Sequence, residues 1–159
     1  RRRLARSLAV ALALAVMVSA ALPYLALRYC DLAASSKSLD RVGARAEIAA
    51  SLDPTSAVPF SVQAGAYWLA AQQAPPGSPE RLAQYLSEAS AWVKATEREP
   101  GRWLYFFKAA EAFLAARDAA LTIDPSAAEQ SAASARVYLA EASRLNPLSD
   151  QVKSLEKAF

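Results

Sequence analysis

LAVALALAVMVSAALPYLAL, residues 8–27, is a run of twenty residues without a charged side chain. As a helix it would be about 30 Å long, which matches the hydrocarbon core of a bilayer. The run predicts one transmembrane helix within a first segment, residues 1–30. The remaining residues, 31–159, are then expected to form a separate domain outside the membrane.

The charges on either side of this run predict its orientation. Four arginines precede it, whereas Arg28 and then Asp31 follow it. Because positive charge is retained on the cytoplasmic side, the N-terminus is expected in the cytoplasm and the domain on the opposite side. The residues expected at the membrane interfaces are Arg6, Tyr24, Arg28, Tyr29 and Cys30.

A removable signal peptide is the alternative interpretation of the first segment. Val18-Ser19-Ala20 resembles a cleavage site and follows a basic stretch. The apolar run nevertheless continues for seven residues beyond Ala20, which favours a permanent anchor. Pro23 is expected to kink this helix or loosen its last turn. Cys30 is interpreted as a free thiol, with an intermolecular disulfide or acylation as the minority alternative.

Composition excludes several classes of function. The chain has no histidine and one cysteine, which removes serine-histidine and cysteine-histidine catalysis and any Cys/His zinc site. All 15 acidic residues lie from Asp31 onward, together with 13 basic residues. The domain therefore carries a net charge of −2 and lacks the basic surface that nucleic acid requires. We expect no enzyme activity, no metal, no cofactor and no nucleic-acid partner.

A short phrase ending in proline recurs along the domain. It occurs as Leu52-Asp53-Pro54, Arg98-Glu99-Pro100, Ile123-Asp124-Pro125 and Leu145-Asn146-Pro147. Proline cannot continue a helix, and the spacings of 46 and 47 residues between the first, second and fourth prolines indicate a repeat. An all-α fold is therefore predicted, with Ser56 and Ser149 as N-caps. The predicted helices cover residues 36–52, 56–73, 80–98, 101–122, 127–145 and 148–158.

These helical pairs resemble tetratricopeptide repeats. In each pair the second helix ends in a polar residue followed by proline. Tyr67-Trp68-Leu69 and Trp103-Leu104-Tyr105 occupy the first-helix position where such repeats carry aromatic residues. The period here is longer than the usual repeat by about a dozen residues. The resemblance implies antiparallel helical hairpins stacked into an array whose concave face binds proteins.

A second resemblance covers nearly the whole chain. An apolar helix ending at Leu25-Ala26-Leu27-Arg28-Tyr29, followed by the proline phrases and by Arg102-Trp103, is similar to the C-terminal tail of bacterial O-antigen ligase family membrane proteins. The catalytic loop of those glycan transferases lies between earlier membrane helices, and nothing here matches it. The resemblance implies a bacterial inner-membrane location with a periplasmic repeat domain.

The densest aromatic stretch is Trp103-Leu104-Tyr105-Phe106-Phe107. Five large side chains in succession cover more than one face of a helix. They form either an exposed docking patch or, as we favour, a central helix buried on two sides. The candidate partner-binding residues are Tyr67, Trp68, Trp92, Trp103, Tyr105, Phe106 and Phe107.

The sequence thus predicts a non-catalytic scaffold that joins other membrane or envelope proteins as an accessory subunit of a larger complex. Its repeat domain and its anchor both supply contacts, since small residues permit close helix packing in lipid. A glycan partner is a further option that the sequence does not support. The alternative function is the terminal segment of a longer O-antigen ligase-like glycan transferase.

Overall fold

The computed structural model describes the backbone of residues 2–157 and the side chains of residues 10–157. Within that part of the chain there are seven α-helices and no strand. The predicted all-α fold, with one apolar N-terminal helix and six further helices, is confirmed. The ends of the six further helices lie within three residues of the predicted ones, whereas α1 extends beyond the predicted run 8–27 on both sides. The helices are α1 (Arg2–Ala34), α2 (Leu39–Leu52), α3 (Val58–Gln73), α4 (Pro79–Arg98), α5 (Trp103–Ala120), α6 (Pro125–Leu145) and α7 (Asp150–Glu156).

Helix α1 is long and apolar enough to span a membrane. Its segment Val10–Ala34 contains 25 residues, and an 18-residue window within it has a mean hydropathy of 2.3. Large apolar side chains are exposed on every side of it, including Leu12 at 68% and Met17 at 59%. The helix passes through Pro23 without a break and continues to Ala34, seven residues beyond the uncharged run. Such a surface requires lipid or other apolar helices around it.

The C-terminal end of α1 belongs to the packed core that it forms with the helices that follow it. Ala26 and Cys30 are buried against Ala49 of α2, and α1 also packs against α3. The Arg45 guanidinium of α2 donates hydrogen bonds to the Leu32 carbonyl oxygen and to the hydroxyl of Ser36. These contacts satisfy a carbonyl group at the end of α1 that the helix itself leaves unpaired. The apolar helix is therefore joined to the domain by packing as well as by the chain.

Proline phrases end the helices as predicted. Helices α2, α4 and α6 stop at the residue two positions before Pro54, Pro100 and Pro147 respectively, while Pro125 begins α6 instead. Proline is accepted there because the first helical residues have no N–H partner within the helix. In the loop before α4, Gly77 has a φ of 70°, a conformation that favours glycine.

One of the two predicted N-caps is correct. The Ser149 hydroxyl accepts a hydrogen bond from Val152 N at 3.4 Å and caps α7. Ser56 was predicted to cap α3, and this is wrong, because the N-cap is Ala57. The Ser56 hydroxyl instead accepts from Val58 N, the first residue of α3, at 3.2 Å. It organises the turn before the helix rather than the first helical turn.

Helices α3 to α6 pack in chain order, each against the next. Alanine is common in the buried core, and Ala89, Ala110 and Ala142 are fully buried. Alanine at such positions lets helix axes approach closely while retaining strong helix propensity. Because α4 packs on both α3 and α5, the region where these three helices meet is a junction between two neighbouring hairpins.

Candidate functional site

The aromatic run of α5 is divided between two sides of that helix. Tyr105 packs with Phe60 and Ala95 on the side of α3 and α4, and its ring stacks on Trp92 at 5.9 Å between centroids. Phe107 packs on the opposite side with Leu139 of α6. Tyr105 and Phe107 are each 5% exposed. They form part of the core and present almost no surface to a partner.

The other two aromatic residues of the run also face α6 and α7. Trp103 and Phe106 are half-buried and pack on the cluster that contains Phe107. The Trp103 ring lies 6.0 Å from the Phe107 ring, and the Phe106 ring lies 6.3 Å from Tyr138. Because most of their surface contacts other helices, these two rings hold the array together.

Trp68 and Trp92 lie instead along a groove at the junction of α3, α4 and α5. The groove has a volume of about 390 Å³. Trp68 is 47% exposed, whereas Trp92 is half-buried through its stacking on Tyr105. Tyr67 does not join this groove and lines a separate, more polar depression with Lys94. The lining residues of the groove are Gly65, Trp68, Glu88, Trp92, Lys108, Glu111, Ala112 and Ala115.

Glu88 is the most unusual residue of the groove. Its side chain is buried, with 8% of the residue exposed. One carboxyl oxygen, Oε1, accepts a hydrogen bond from Trp92 Nε1 at 3.4 Å. The other oxygen, Oε2, is buried and has no hydrogen-bond partner. A buried oxygen without a partner is costly, so a hydrogen-bond donor that reaches this carboxyl group stabilises it.

Burial also changes the acidity of Glu88. Desolvation raises the pKa of its carboxyl group from 4.5 to about 7, while the Trp92 hydrogen bond and the positive charge of Lys108 partly oppose the rise. The negative charge of Glu111 adds to it. The group is therefore close to half-ionised at neutral pH, and a ligand that brings positive charge favours its ionised form.

The remaining charges of the groove already form a pair. Lys108 Nζ lies 2.7 Å from Glu111 Oε2, one turn along α5, and both side chains are about two-fifths exposed. This ammonium group is thus engaged with Glu111 and makes no hydrogen bond to Glu88. When all three groups are ionised, the groove has a net charge of −1.

The predicted interface residues lie in different environments along α1. Tyr24 is 71% exposed and Arg28 is exposed, whereas Tyr29 is half-buried. Cys30 is a free thiol that is only 5% exposed, enclosed by α2 and α3. The side chain of Arg6 lies outside the described part of the chain. Tyr24 and Arg28 are therefore the members of this set with surface available to a membrane interface.

Comparison of the chain with protein-family models, with curated proteins and with solved structures finds no match. The resemblances to tetratricopeptide repeats and to the tail of O-antigen ligase family proteins stay predictions from the sequence. Within the described residues, no group of three or more His, Cys, Asp or Glu side chains is arranged to hold a metal ion.

Sequence reasoning did not identify Glu88. The signal was present, because Glu88 lies three residues after the core residue Tyr85 and four before Trp92. That spacing puts an acidic side chain on the same helical face as the apolar residues. The spacing does not reveal where α3 and α5 lie. These two helices bury Glu88 and form the other walls of the groove.

Proposed function

We propose that this chain is a non-catalytic, membrane-anchored interaction module and an accessory subunit of a membrane protein complex. The observation that carries the proposal is the Glu88 groove. It combines an exposed indole at Trp68 with a buried carboxyl oxygen that lacks a partner. Exposed aromatic side chains next to polar groups that lack a hydrogen-bond partner are typical of binding surfaces.

The chemistry of the groove supports binding rather than turnover. None of its described lining residues carries a hydroxyl or thiol nucleophile. Its single lysine, Lys108, is paired with Glu111 at 2.7 Å. A buried carboxyl group with indole neighbours recognises a ligand through hydrogen bonding and stacking, while the second carboxyl group of the groove, that of Glu111, is already paired with Lys108.

The exposed apolar surface of α1 supports the membrane part of the proposal. A helix with an 18-residue window of high hydropathy and large exposed apolar side chains is unsuited to water. The arginines before it favour a cytoplasmic N-terminus, which puts the repeat domain on the periplasmic side of a bacterial inner membrane. Because the end of α1 is packed into the domain, the groove would be held near the membrane surface, where neighbouring membrane proteins expose their own loops.

Co-purification tests the proposed function. The full chain, tagged and expressed at its native level, is extracted in a mild detergent and its companions are identified by mass spectrometry. Trp68→Ala removes the exposed indole of the groove, and Val137→Ala removes an apolar side chain on α6 that is 67% exposed and lies outside it. We expect the unmodified chain and Val137→Ala to retain the same stoichiometric membrane proteins, and Trp68→Ala to lose them.

Two results would contradict the proposal. The first is a chain recovered without any stoichiometric membrane protein, which removes the accessory-subunit role. The second is a set of co-purifying proteins that is the same for Trp68→Ala as for the unmodified chain, which would mean that the groove does not bind these partners. Recovery of a longer form of the same polypeptide, or of lipid-linked sugars alone, would favour the ligase-tail alternative instead.

A further inference from the structure

The unpartnered oxygen of Glu88 restricts what the groove accepts. In its ionised form the Glu88 carboxyl group only accepts hydrogen bonds, so a ligand that satisfies the ionised Oε2 has to donate one. The indole N–H of Trp92 is already directed to Oε1 at 3.4 Å. The described side chains of the groove do not supply this donor, and a bound molecule can.

Charge indicates that this donor is a cation. The charged groups that face Glu88 are Lys108 and Glu111, both on α5, while α3 contributes only the uncharged Gly65 and Trp68. Since Lys108 is engaged with Glu111 at 2.7 Å, a net negative charge is left for a ligand to balance. The faces of the indole rings also attract cations. A neutral hydroxyl ligand donates a hydrogen bond but leaves the buried charge uncompensated.

The shape of the site favours a guanidinium over an ammonium group. A guanidinium is planar, so it lies flat on an indole while its edge donates several N–H bonds to a carboxylate. Trp68 has an exposed indole for such stacking, whereas Trp92 already stacks on Tyr105. A volume of about 390 Å³ admits one extended side chain with its backbone rather than a folded element.

We propose that the groove binds an arginine side chain in an extended segment of a partner protein, with the guanidinium stacked on Trp68 and hydrogen-bonded to Glu88 Oε2. This inference rests on the proposed function and specifies the partner chemistry of the same groove. Binding fixes Glu88 in its ionised form. Because the free carboxyl group is partly protonated near neutral pH, binding releases a proton and strengthens as the pH rises from 6 to 8.

Matched peptide mixtures test the inference. The full chain is immobilised in detergent and incubated with acetylated heptapeptides that have random flanking residues and arginine, citrulline or lysine at the centre. Citrulline keeps the planar shape but has no positive charge. We expect arginine peptides to be retained about tenfold or more over citrulline peptides at pH 8, since hydrogen bonds to charged groups have effects of this size. Lysine peptides are expected to fall between the two.

Two variants and one control complete the design. Glu88→Gln is nearly isosteric, and we expect it to abolish both the preference for arginine over citrulline and its pH dependence. Trp68→Ala is expected to weaken retention of all mixtures because it removes the stacking surface. Val137→Ala, on the exposed face of α6, is expected to behave like the unmodified chain. Near-UV circular dichroism verifies that each variant retains its folded core.

Three results overturn the inference. They are equal retention of arginine and citrulline peptides by the unmodified chain, an arginine preference that persists in Glu88→Gln, and preferential retention of a neutral oligosaccharide such as maltoheptaose. The comparison of arginine with citrulline peptides uses the unmodified chain and changes only the ligand, so its result is valid even if a variant fails to fold. If membrane partners still depend on Trp68 while no arginine preference exists, the proposed function stands and this inference alone is rejected.

Discussion

Replacing Glu88 with glutamine is expected to change how the stability of the folded chain depends on pH. In the unmodified chain the carboxyl group is buried, and one of its oxygens lacks a partner. Glutamine has nearly the same shape and keeps an oxygen that accepts from Trp92, but it does not ionise. The substitution therefore separates the effect of the buried charge from that of the packed side chain.

The sign and size follow from the pKa of Glu88. Burial raises this pKa from 4.5 to about 7. Below pH 4.5 the group is protonated in both states and has no effect on the pH dependence. Between the two pKa values the unfolded chain releases the proton and the folded chain retains it, so stability falls as the pH rises. At about 1.4 kcal/mol per pKa unit, the accumulated loss above pH 7 is about 3 kcal/mol.

Urea denaturation of the full chain in non-ionic micelles measures this effect. The three tryptophans, Trp68, Trp92 and Trp103, all lie in the repeat domain, so their fluorescence reports its unfolding without interference from α1. We expect the difference in unfolding free energy between Glu88→Gln and the unmodified chain to shift by about 3 kcal/mol in favour of the variant from pH 4.5 to 8. Ionisable groups common to both chains cancel in this difference.

A control and a refuting result complete this prediction. Glu97→Gln removes one exposed carboxyl group from the same helix, α4, and accounts for the change in net charge. If the stability difference for Glu88→Gln is the same at every pH, then Glu88 is not desolvated in the folded chain. The groove would then contain no desolvated carboxyl group that lacks a hydrogen-bond partner.

Three further predictions concern the core and the anchor. Phe107→Ala is expected to reduce the unfolding free energy by about 3–5 kcal/mol, because it leaves a cavity at a buried site between α5 and α6. The control, Val137→Ala at an exposed site, is expected to change the unfolding free energy by less than about 0.5 kcal/mol. Arg45→Met removes the hydrogen bonds at the end of α1, so amides of residues 31–35 should exchange faster with deuterium while the α5–α6 core stays protected. Met17→Arg puts a charge near the centre of the apolar helix, which raises the free energy of membrane insertion by about 3 kcal/mol. The fraction of the protein that stays with membranes after alkaline extraction should therefore fall. The control, Leu148→Arg in an exposed turn, should leave that fraction unchanged.

The helices were predictable because their ends are encoded locally. Proline removes an N–H donor and constrains its neighbour wherever the chain lies, so Pro54, Pro100 and Pro147 end α2, α4 and α6 whatever the surrounding packing. Alanine-rich segments between them have high helix propensity. Small side chains such as Ala89 and Ala110, which are fully buried, let these helices approach closely.

The end of α1 was less predictable because it depends on tertiary contacts. The last uncharged residue of the run is Leu27, yet the helix continues to Ala34. No proline or glycine interrupts residues 28–34, and Arg45, eleven residues beyond the helix end, supplies hydrogen bonds at that terminus. Cys30 is buried for the same reason, since α2 folds back over this part of α1.

The candidate site was only partly predictable. Trp68 and Trp92 were selected as exposed aromatic candidates, and both line the groove. The same reasoning also selected Tyr105 and Phe107, which are buried, because large aromatic side chains serve cores and binding surfaces alike. Glu88 was missed because its desolvation arises from helices that are distant in sequence, and a sequence pattern contains no information about their approach.

Site-specific photocrosslinking in intact membranes tests the central claim most directly. A benzophenone amino acid is introduced at position 65, where Gly65 lines the groove and an added Cβ has no other atom within 4 Å, and separately at position 137, on the exposed face of α6. Trp68 and Glu88 are both retained. Our account predicts a discrete crosslinked product from position 65, absent from position 137 and weakened when Glu88→Gln is combined with it. Identical products from both positions, or no product from position 65, would contradict the claim that this groove binds a partner.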